Sequence, residues 1–289
     1  GFPEPLARAL AARHVTSPSD LDYEFKEMLS PWDLKNCREA GEAIADAIWK
    51  QKKIVILGDS DCDGATAVSV GILGLQALGA FNVSYLIPDR DKDGYGLSPQ
   101  LVDRAAAAGA ELIITVDNGI SSVAAVEHAK TLGIEAVVTD HHLPGDEIPD
   151  TLVVNPNQRG DTFPSKSLAG VGVIFYVLIA VRSALRAKGA YPNGKQPNLQ
   201  HLIDLVALGT VADVVPLDRN NRILVSKGLD SIRAGKMQPG VSALLSVAGK
   251  NAHRISANDL GYILGPRINA AGRLDSINKG VECLTSYDY

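Results

Sequence analysis

The sequence contains few aromatic residues and few cysteines, and it has no long apolar run. Phe, Trp and Tyr together make up 5% of the 289 residues, so recognition of nucleobases by many stacked rings is not expected. Cys37, Cys62 and Cys283 are odd in number and form no Cys-x-x-Cys pair, which is typical of free thiols in a reducing compartment. No apolar run approaches the roughly 20 residues of a membrane helix. We therefore expect a cytoplasmic protein without a membrane segment.

The chain also lacks an excess of positive charge. Its 28 lysines and arginines stand against 33 aspartates and glutamates, a formal net charge of −5, which argues mildly against binding to phosphate backbones. Carboxylates that hold divalent cations nevertheless count as negative in this sum. The charge is also uneven, because residues 219–279 contain ten Lys or Arg and three Asp. This basic stretch is either a nucleic-acid-binding surface or an ordinary solvated face.

What the sequence does contain is an alternation of strand-like and helix-like segments. An N-terminal arm and a helical segment at 37–49 come first. Five β-rich runs follow, with helical patterns between most of them, and they lie at 53–57, 82–87, 112–116, 135–139 and 152–154. Strands separated by ten or more helical residues are joined by crossovers and form a parallel sheet. The predicted fold class is therefore α/β, with a parallel-stranded sheet flanked by helices.

Beyond about residue 163, long helical patterns dominate. They lie near residues 171–187, 199–208, 222–234 and 241–247. The stretch 188–197 is rich in Gly, Pro, Lys and Asn and is predicted to be a loop. We predict three parts: an N-terminal arm (1–36), a sheet-containing domain (37–165) and a mainly helical C-terminal portion (166–289).

Three carboxylates follow the first predicted strand at alternate positions, in Gly58-Asp-Ser-Asp-Cys-Asp-Gly64. A calcium loop of EF-hand type would need an acidic residue at the twelfth position from Asp59, but that position is Val70, and a strand precedes the loop. A solvated turn is the other alternative. Because neighbouring carboxylates repel each other, a bound cation is the simplest explanation for the cluster.

Further polar residues follow other strands. Asp117 ends the third predicted strand, and Asp140-His-His142 ends the fourth. Alone, such an Asp is more often a helix N-cap than a metal ligand. Asp213 follows the helical run 202–209 and, alone, could also be a cap. In an open α/β sheet, however, ligands bind outside the carboxyl ends of the strands. We therefore expect the strand-end residues to lie along one edge.

The donor types indicate which metal such a site would hold. Oxygen donors with one or two imidazoles suit Mn²⁺ or Mg²⁺ better than structural zinc, which favours thiolates and histidines. The carboxylates also outnumber what one ion needs. They fit two cations about 3.5–4 Å apart, the arrangement used in phosphoryl transfer and hydrolysis.

In these motifs the sequence resembles the RecJ family of the DHH phosphoesterase superfamily, named after the triplet seen here at 140–142. The supporting segments occur in family order between about residues 54 and 280, and their joint match is highly specific. They are residues 58–64, 93–97 (Asp-Gly-Tyr-Gly-Leu), 115–121 (Thr-Val-Asp-Asn-Gly-Ile-Ser), 139–145 (Thr-Asp-His-His-Leu-Pro-Gly), 167–172 (Ser-Leu-Ala-Gly-Val-Gly), 210–217 (Thr-Val-Ala-Asp-Val-Val-Pro-Leu) and 265–274 (Gly-Pro-Arg-Ile-Asn-Ala-Ala-Gly-Arg-Leu).

The resemblance implies roles for individual residues. Asp117 would be the carboxylate shared by both ions, and His142 would contact the scissile phosphate; with Asp63 they form the expected catalytic set. The positions of the family's metal ligands correspond to Asp59, Asp61, Asp63, Asp117, His141 and Asp213. Expected to hold DNA phosphate are Arg90, Asn269, Arg273 and, more weakly, Arg267. The alternative for these arginines is a structural salt bridge.

The implied activity is a metal-dependent 5′-to-3′ exonuclease that hydrolyses single-stranded DNA to 5′-mononucleotides, in DNA repair and recombination. We expect in-line attack by a hydroxide that two Mn²⁺ or Mg²⁺ ions generate from water. From the family alone, single-strand binding protein and a helicase are expected partners. Family members continue into further domains, so we expect this chain to be a catalytic core fragment.

Two other functions remain open. One is a phosphoesterase of the same superfamily that acts on short oligonucleotides or nucleotide phosphates, which the metal motifs do not distinguish. The other is a non-catalytic module that binds single-stranded DNA. Degenerate members of that kind have lost metal ligands, whereas every expected ligand is present here.

Overall fold

A five-stranded parallel sheet forms the centre of the molecule in the computed structural model, which describes residues 2–88, 96–274 and 277–288. The strand order is β2-β1-β3-β4-β5, and every neighbouring pair is parallel. The strands are β1 (Ile54–Leu57), β2 (Val83–Leu86), β3 (Leu112–Val116), β4 (Glu135–Thr139) and β5 (Leu152–Val154). All residues of β1 and β3 are buried, as expected for central parallel strands covered on both faces.

The order of the strands creates a switch point between β1 and β3. The chain passes from β1 to β2 on one side and then returns to place β3 on the other side of β1. The connections after β1 and β3 therefore leave the sheet in opposite directions. A crevice forms at the carboxyl ends of strands at such a point, and ligands bind there in open α/β sheets.

Helices cover both faces of the sheet. In chain order they are α1 (Glu4–Ala11), α2 (Cys37–Trp49), α3 (Cys62–Ala77), α4 (Pro99–Ala107), α5 (Val123–Thr131), α6 (Gly170–Ala187), α7 (Ile203–Ala212), α8 (Arg219–Arg233), α9 (Pro239–Val247), α10 (Ala257–Asp259), α11 (Gly265–Leu274) and α12 (Asn278–Thr285). Side chains of β1 alternate between two cores: Val55 and Leu57 pack with α4 and α5, and Ile54 and Ile56 pack with α2, α3 and α6. These layers confirm the predicted fold class.

The α6 helix is long and apolar enough to cross a membrane by length and composition, with a mean hydropathy of 1.6. Two thirds of that window (67%) is buried inside the protein. It packs against α2 and α3. The helix is therefore apolar because it belongs to the core of the protein.

The C-terminal portion is mainly helical, as predicted, and it shares its core with the sheet. The same buried cluster includes Ile56 of β1, Leu205 of α7 and Val281 of α12. The other buried cluster, which includes Val55 and Leu57, lies wholly before residue 165. The predicted division at residue 165 stays a prediction. The helices α10 and α11 are joined by a π-helical turn, Leu260–Leu264, into one continuous helix that the sequence patterns did not predict.

Candidate metal centre

The Asp59–Asp63 segment follows β1 and leads into α3. Asp61 is the N-cap of that helix, and its Oδ1 accepts a hydrogen bond from the Gly64 amide at 2.9 Å. Asp63, in the first turn, is 1% exposed. Its two oxygens accept from the amides of Gly170 (2.6 Å) and Val171 (3.0 Å), the first residues of α6. The start of α6 therefore fixes the orientation of Asp63.

Asp117 lies in a tight turn after β3, with a left-handed backbone φ of 62°. The Asn118 side chain ties this turn to the ends of β1 and β3, donating to the carbonyls of Leu57 (3.2 Å) and Val116 (2.9 Å). Gly170 approaches from α6 so closely that a Cβ there would lie 2.6 Å from Asp117 Oδ1. Glycine is thus required at the start of α6 for Asp117 to occupy its position.

Asp140 positions the two histidines that follow it. Its Oδ1 accepts from the amides of His141 (2.7 Å) and His142 (3.1 Å), and its Oδ2 accepts from Ile120 at 2.8 Å. His142 Nδ1 lies 2.8 Å from Asp140 Oδ1, and this hydrogen bond raises the pKa of His142 to about 9. His142 is therefore a cation at neutral pH, and it is suited to contact a phosphate.

His141 lies at the centre of the carboxylates. Its Nε2 is 3.1 Å from Asp117 Oδ1, 3.5 Å from Asp213 Oδ2 and 3.9 Å from Asp63 Oδ2. Burial lowers the pKa of His141, so the ring is neutral, and it also hydrogen-bonds the Leu168 backbone. A neutral imidazole fixed by a backbone hydrogen bond is the form that ligates metals.

The charges at this edge are poorly compensated. Burial and the charge of Asp213 raise the pKa of Asp63 well above its usual range, and burial and the charge of Asp63 do the same for Asp117. Burial, with the charge of Asp61, raises the pKa of Asp213 to about 6. Asp117 Oδ1 and His141 Nε2 are buried and have no hydrogen-bond partner. This donor set fits divalent cations, which would satisfy both atoms and relieve the repulsion.

Asp213 is held by a strained turn at the end of α7. The next residue, Val214, has a φ of 62°, which is costly for a β-branched side chain, and its side chain is 84% exposed. A strained backbone conformation of this kind persists only where contacts with the surrounding structure stabilise it. The turn brings Asp213, distant in sequence, to the carboxyl edge of the sheet.

The structure brings most of the predicted ligands together. Two groups have ligand atoms within 4.8 Å of one another: Asp117 with His141 and His142, and Asp63 with His141 and Asp213. Among the described residues, Asp59 and Asp61 belong to neither group, although the charges of both raise the pKa of Asp117.

The four predicted phosphate contacts have different outcomes. Arg90 lies outside the described residues, and so does the side chain of Arg273. Arg267 is exposed, and its Nη1 donates to the Ile263 carbonyl at 2.8 Å. Asn269 Oδ1 accepts a hydrogen bond from the Cys62 amide at 2.7 Å. A role for either residue in DNA binding stays a prediction.

Two residues of this site were missed in the sequence. Asn155 and Asn157 follow β5, and their side-chain amides donate to the carbonyls of His142 (2.9 Å) and His141 (2.6 Å). They hold the histidine pair from the neighbouring strand. Their place directly after a strand at the same edge was the available signal, because the rule that selected Asp117 applies to β5 as well.

Comparisons with known proteins find similar sequences and structures. A model of the DHH family, N-terminal domain, matches residues 53–210. The single-stranded-DNA-specific exonuclease RecJ of Salmonella typhimurium is 55% identical over 98% of this chain and 50% of that protein. The crystal structure of RecJ in complex with Mn²⁺ from Thermus thermophilus has a TM-score of 0.81 at 34% identity, over 98% of this chain and 39% of that one.

A crystal structure of exonuclease RecJ bound to manganese also matches, with a TM-score of 0.77 at 37% identity. That match covers 87% of this chain and 61% of the other. The chain spans about half the length of the curated relatives it matches.

Proposed function

This chain belongs to the DHH family, and we propose on that basis that it contains the catalytic site of a metal-dependent exonuclease acting on single-stranded DNA. The observation that carries the proposal is the convergence of Asp63, Asp117 and Asp213 on His141, in a cluster that contains buried atoms without hydrogen-bond partners. The 55% identity to a single-stranded-DNA-specific exonuclease RecJ supports DNA as the substrate. We propose removal of 5′-mononucleotides from the 5′ end, in DNA repair and recombination.

We propose that two divalent cations, Mn²⁺ or Mg²⁺, are held by Asp59, Asp61, Asp63, Asp117, His141 and Asp213. Structures of similar RecJ proteins contain Mn²⁺ or Mg²⁺. When bound, such cations supply Lewis-acid polarisation of the phosphate and lower the pKa of water. Asp117 is suited to be the shared ligand, because it is 2% exposed, 3.1 Å from His141, and has an unpartnered Oδ1.

The residues of the chain itself would orient the scissile phosphate. His142 projects from the same loop as His141, is half exposed, and is cationic at neutral pH, so it can donate to a phosphate oxygen. The Asp140 carboxylate keeps that ring charged and oriented. This role requires no covalent intermediate, because His142 only binds and stabilises negative charge on the phosphate.

Exposed apolar side chains follow two of the site residues along the chain. Leu143 follows His142 and is 79% exposed, and Val214 follows Asp213 and is 84% exposed. An apolar side chain is suited to contact with a base rather than with a phosphate. We propose these contacts for the terminal nucleotides. A cytoplasmic location, and association with single-strand binding protein and a helicase, stay predictions.

Hydrolysis of a long 5′-phosphorylated single strand in the presence of Mn²⁺ tests the proposal. We expect 5′-mononucleotides to be released from the 5′ end, no release in EDTA, and none from the Asp117→Ala variant. A dinucleotide substrate serves as the comparison. Equal or faster cleavage of the dinucleotide would favour the small-substrate phosphoesterase, and binding of the strand without any release would favour the non-catalytic module.

A further inference from the structure

One continuous helix, residues 257–274, contacts two of the segments that carry candidate ligands, the one after β1 and the end of α7. In its middle, a Cβ at Gly261 would lie 3.0 Å from the Val211 side chain, and one at Gly265 would lie 3.0 Å from Ala212 Cβ, just before Asp213. Near its end, a Cβ at Gly272 would lie 3.2 Å from the Ser60 carbonyl oxygen. A π-helical turn interrupts this helix at 260–264, a feature frequent at functional sites. We call residues 257–274 the bracing helix.

Asn269 makes a polar contact between the bracing helix and the ligand segment after β1. Its Oδ1 accepts from the Cys62 amide at 2.7 Å, across 207 residues of sequence. Cys62 is the first residue of α3 and is 1% exposed. Amides in the first turn of a helix have no partner within the helix. Water has little access to this one, so Asn269 supplies the acceptor that it needs.

This hydrogen bond acts on the backbone between two candidate ligands. The Cys62 amide is bonded to the Asp61 carbonyl carbon, and Asp63 is the next residue along the chain. Fixing this peptide plane fixes the directions in which the side chains of Asp61 and Asp63 leave the backbone. A carboxamide oxygen can only accept, so a contact of Asn269 with a DNA phosphate would use Nδ2 as the donor.

We propose that Asn269 is a positioning residue of the metal site, which holds the Asp61–Asp63 backbone in its ligating conformation through the Cys62 amide. The proposal rests on the metal site of the proposed function, but it does not depend on the nuclease activity. A phosphate-binding role and a positioning role make opposite demands on residue 269. Phosphate binding requires a donor and no negative charge, whereas positioning requires only an acceptor oxygen.

Three variants separate these roles: Asn269→Ala, Asn269→Leu and Asn269→Asp. Ala and Leu remove the acceptor, and Leu keeps most of the volume in case the alanine variant does not fold. Asp retains the acceptor and adds a negative charge. Asn251→Ala is the matched control, since Asn251 accepts from the His253 amide at the start of another short helix.

The main measurement is the Kd for Mn²⁺ in the absence of DNA. It is obtained by titration calorimetry or from the loss of the electron paramagnetic resonance signal of free Mn²⁺. We expect Ala and Leu to weaken Mn²⁺ binding by about 10–100-fold, the usual cost of losing a partner outside the ligand set. Asp should bind Mn²⁺ at least as tightly as the wild type, and the control should be unchanged. Amide hydrogen exchange at Cys62 should become faster in Ala and Leu only.

The proposal is overturned if Ala and Leu bind Mn²⁺ like the wild type and only the KM for DNA rises, with Asp the worst of the three. That ranking would assign Asn269 to phosphate binding. Because the metal titration contains no DNA, failure of the nuclease proposal and failure of the positioning proposal are distinguishable. Tight Mn²⁺ binding that depends on an acceptor at 269 would stand even if no strand were cleaved.

Discussion

The carboxyl edge of the sheet and the basic helical region differ in how their charges are balanced. At the edge, Asp63 and Asp117 are buried beside each other, and the charges of further aspartates raise their pKa values. In the basic helical region, several cations have acidic partners: Lys227 Nζ lies 3.0 Å from Glu24, and Lys250 Nζ lies 3.0 Å from Asp259. The edge concentrates charge of one sign, whereas several charges of the basic region are paired with charges of the opposite sign.

This difference changes the meaning of the basic stretch at 219–279. Arg219 and Lys227 pair with Glu27 and Glu24 of the N-terminal arm, about 190–200 residues earlier in the chain. The count of charges within residues 219–279 leaves these partners out, because they lie in a distant part of the sequence. The charges that point to function are therefore those left without a partner of opposite sign.

The largest effect is expected when Asp117 is replaced by asparagine. Asn tolerates the left-handed backbone at this position and keeps the shape of the side chain. Hydrolysis with Mn²⁺ should fall by at least about 10³-fold, more than the 10–100-fold typical of a residue outside the ligand set. The melting temperature in EDTA should rise, because one buried charge is removed from a repelling group.

Calorimetric melting in EDTA and initial rates with Mn²⁺ measure the two effects on the same samples. Asp218→Asn is the matched control, since Asp218 is a helix N-cap that belongs to neither group of candidate ligands. A variant that melts lower than the wild type in EDTA and still cleaves DNA would show that Asp117 has a structural role only.

Replacing His142 by asparagine is expected to have the next largest effect. The Asn side chain can still donate toward Asp140, while the cation and Nε2 are lost. We expect kcat to fall by about 10²–10³-fold, as for the loss of one group that stabilises charge on the reacting phosphate. The Kd for Mn²⁺ should stay nearly constant. A parallel loss of Mn²⁺ affinity would instead make His142 a ligand with Asp117 and His141.

The sequence predicted the sheet and its functional edge well, for a physical reason. Buried parallel strands are short apolar runs, so β3 and β4 could be located to the residue. The edge rule then followed from strand direction alone, and it placed Asp117 and His141 together. The apolar pattern of a strand and the direction of the chain along it can both be determined from consecutive residues.

The contacts that were not predicted depend on distant segments. The bracing helix contains Gly261, Gly265 and Pro266, residue types that usually interrupt helices. The two glycines allow close packing against Val211 and Ala212. The hydrogen bond from Cys62 to Asn269 joins residues 207 apart. The resemblance to the family located the Asn269 motif, but no feature of the sequence indicated which atom its side chain contacts.

Asp204 is a buried carboxylate outside the metal centre, and it tests whether burial alone explains the raised pKa values. Its Oδ2 accepts from the Gln238 amide at 2.6 Å, its Oδ1 has no partner, and burial raises its pKa to about 6. The folded state therefore binds this proton more tightly than the unfolded state. Stability from this group is present below about pH 4 and is lost as the pH rises through about 6.

A rise in pKa from 3.8 to about 6 corresponds to about 3 kcal/mol of unfolding free energy between those limits. Asp204→Asn should remove that dependence, because its amide oxygen still accepts from Gln238 and carries no charge. Urea unfolding of both proteins at pH 4, 5, 6 and 7 isolates the contribution as the difference between the two curves. Parallel curves would mean that Asp204 does not titrate in this range. Hydrolysis should be unaffected, in contrast to Asp117→Asn.

The smallest effect is expected in the basic region, where Arg267 and Lys227 form a matched pair. Arg267 has no acidic partner among the residues that the structure describes, whereas Lys227 pairs with Glu24. Arg267→Gln should lower the slope of log affinity for single-stranded DNA against log salt by about one, the loss of one phosphate contact. Lys227→Gln should leave that slope unchanged and cost at most about 1 kcal/mol of stability. An equal change of the slope in both variants would mean that paired and unpaired cations contribute alike to DNA binding. The pairing of charges in the folded chain would then not identify the DNA-binding surface.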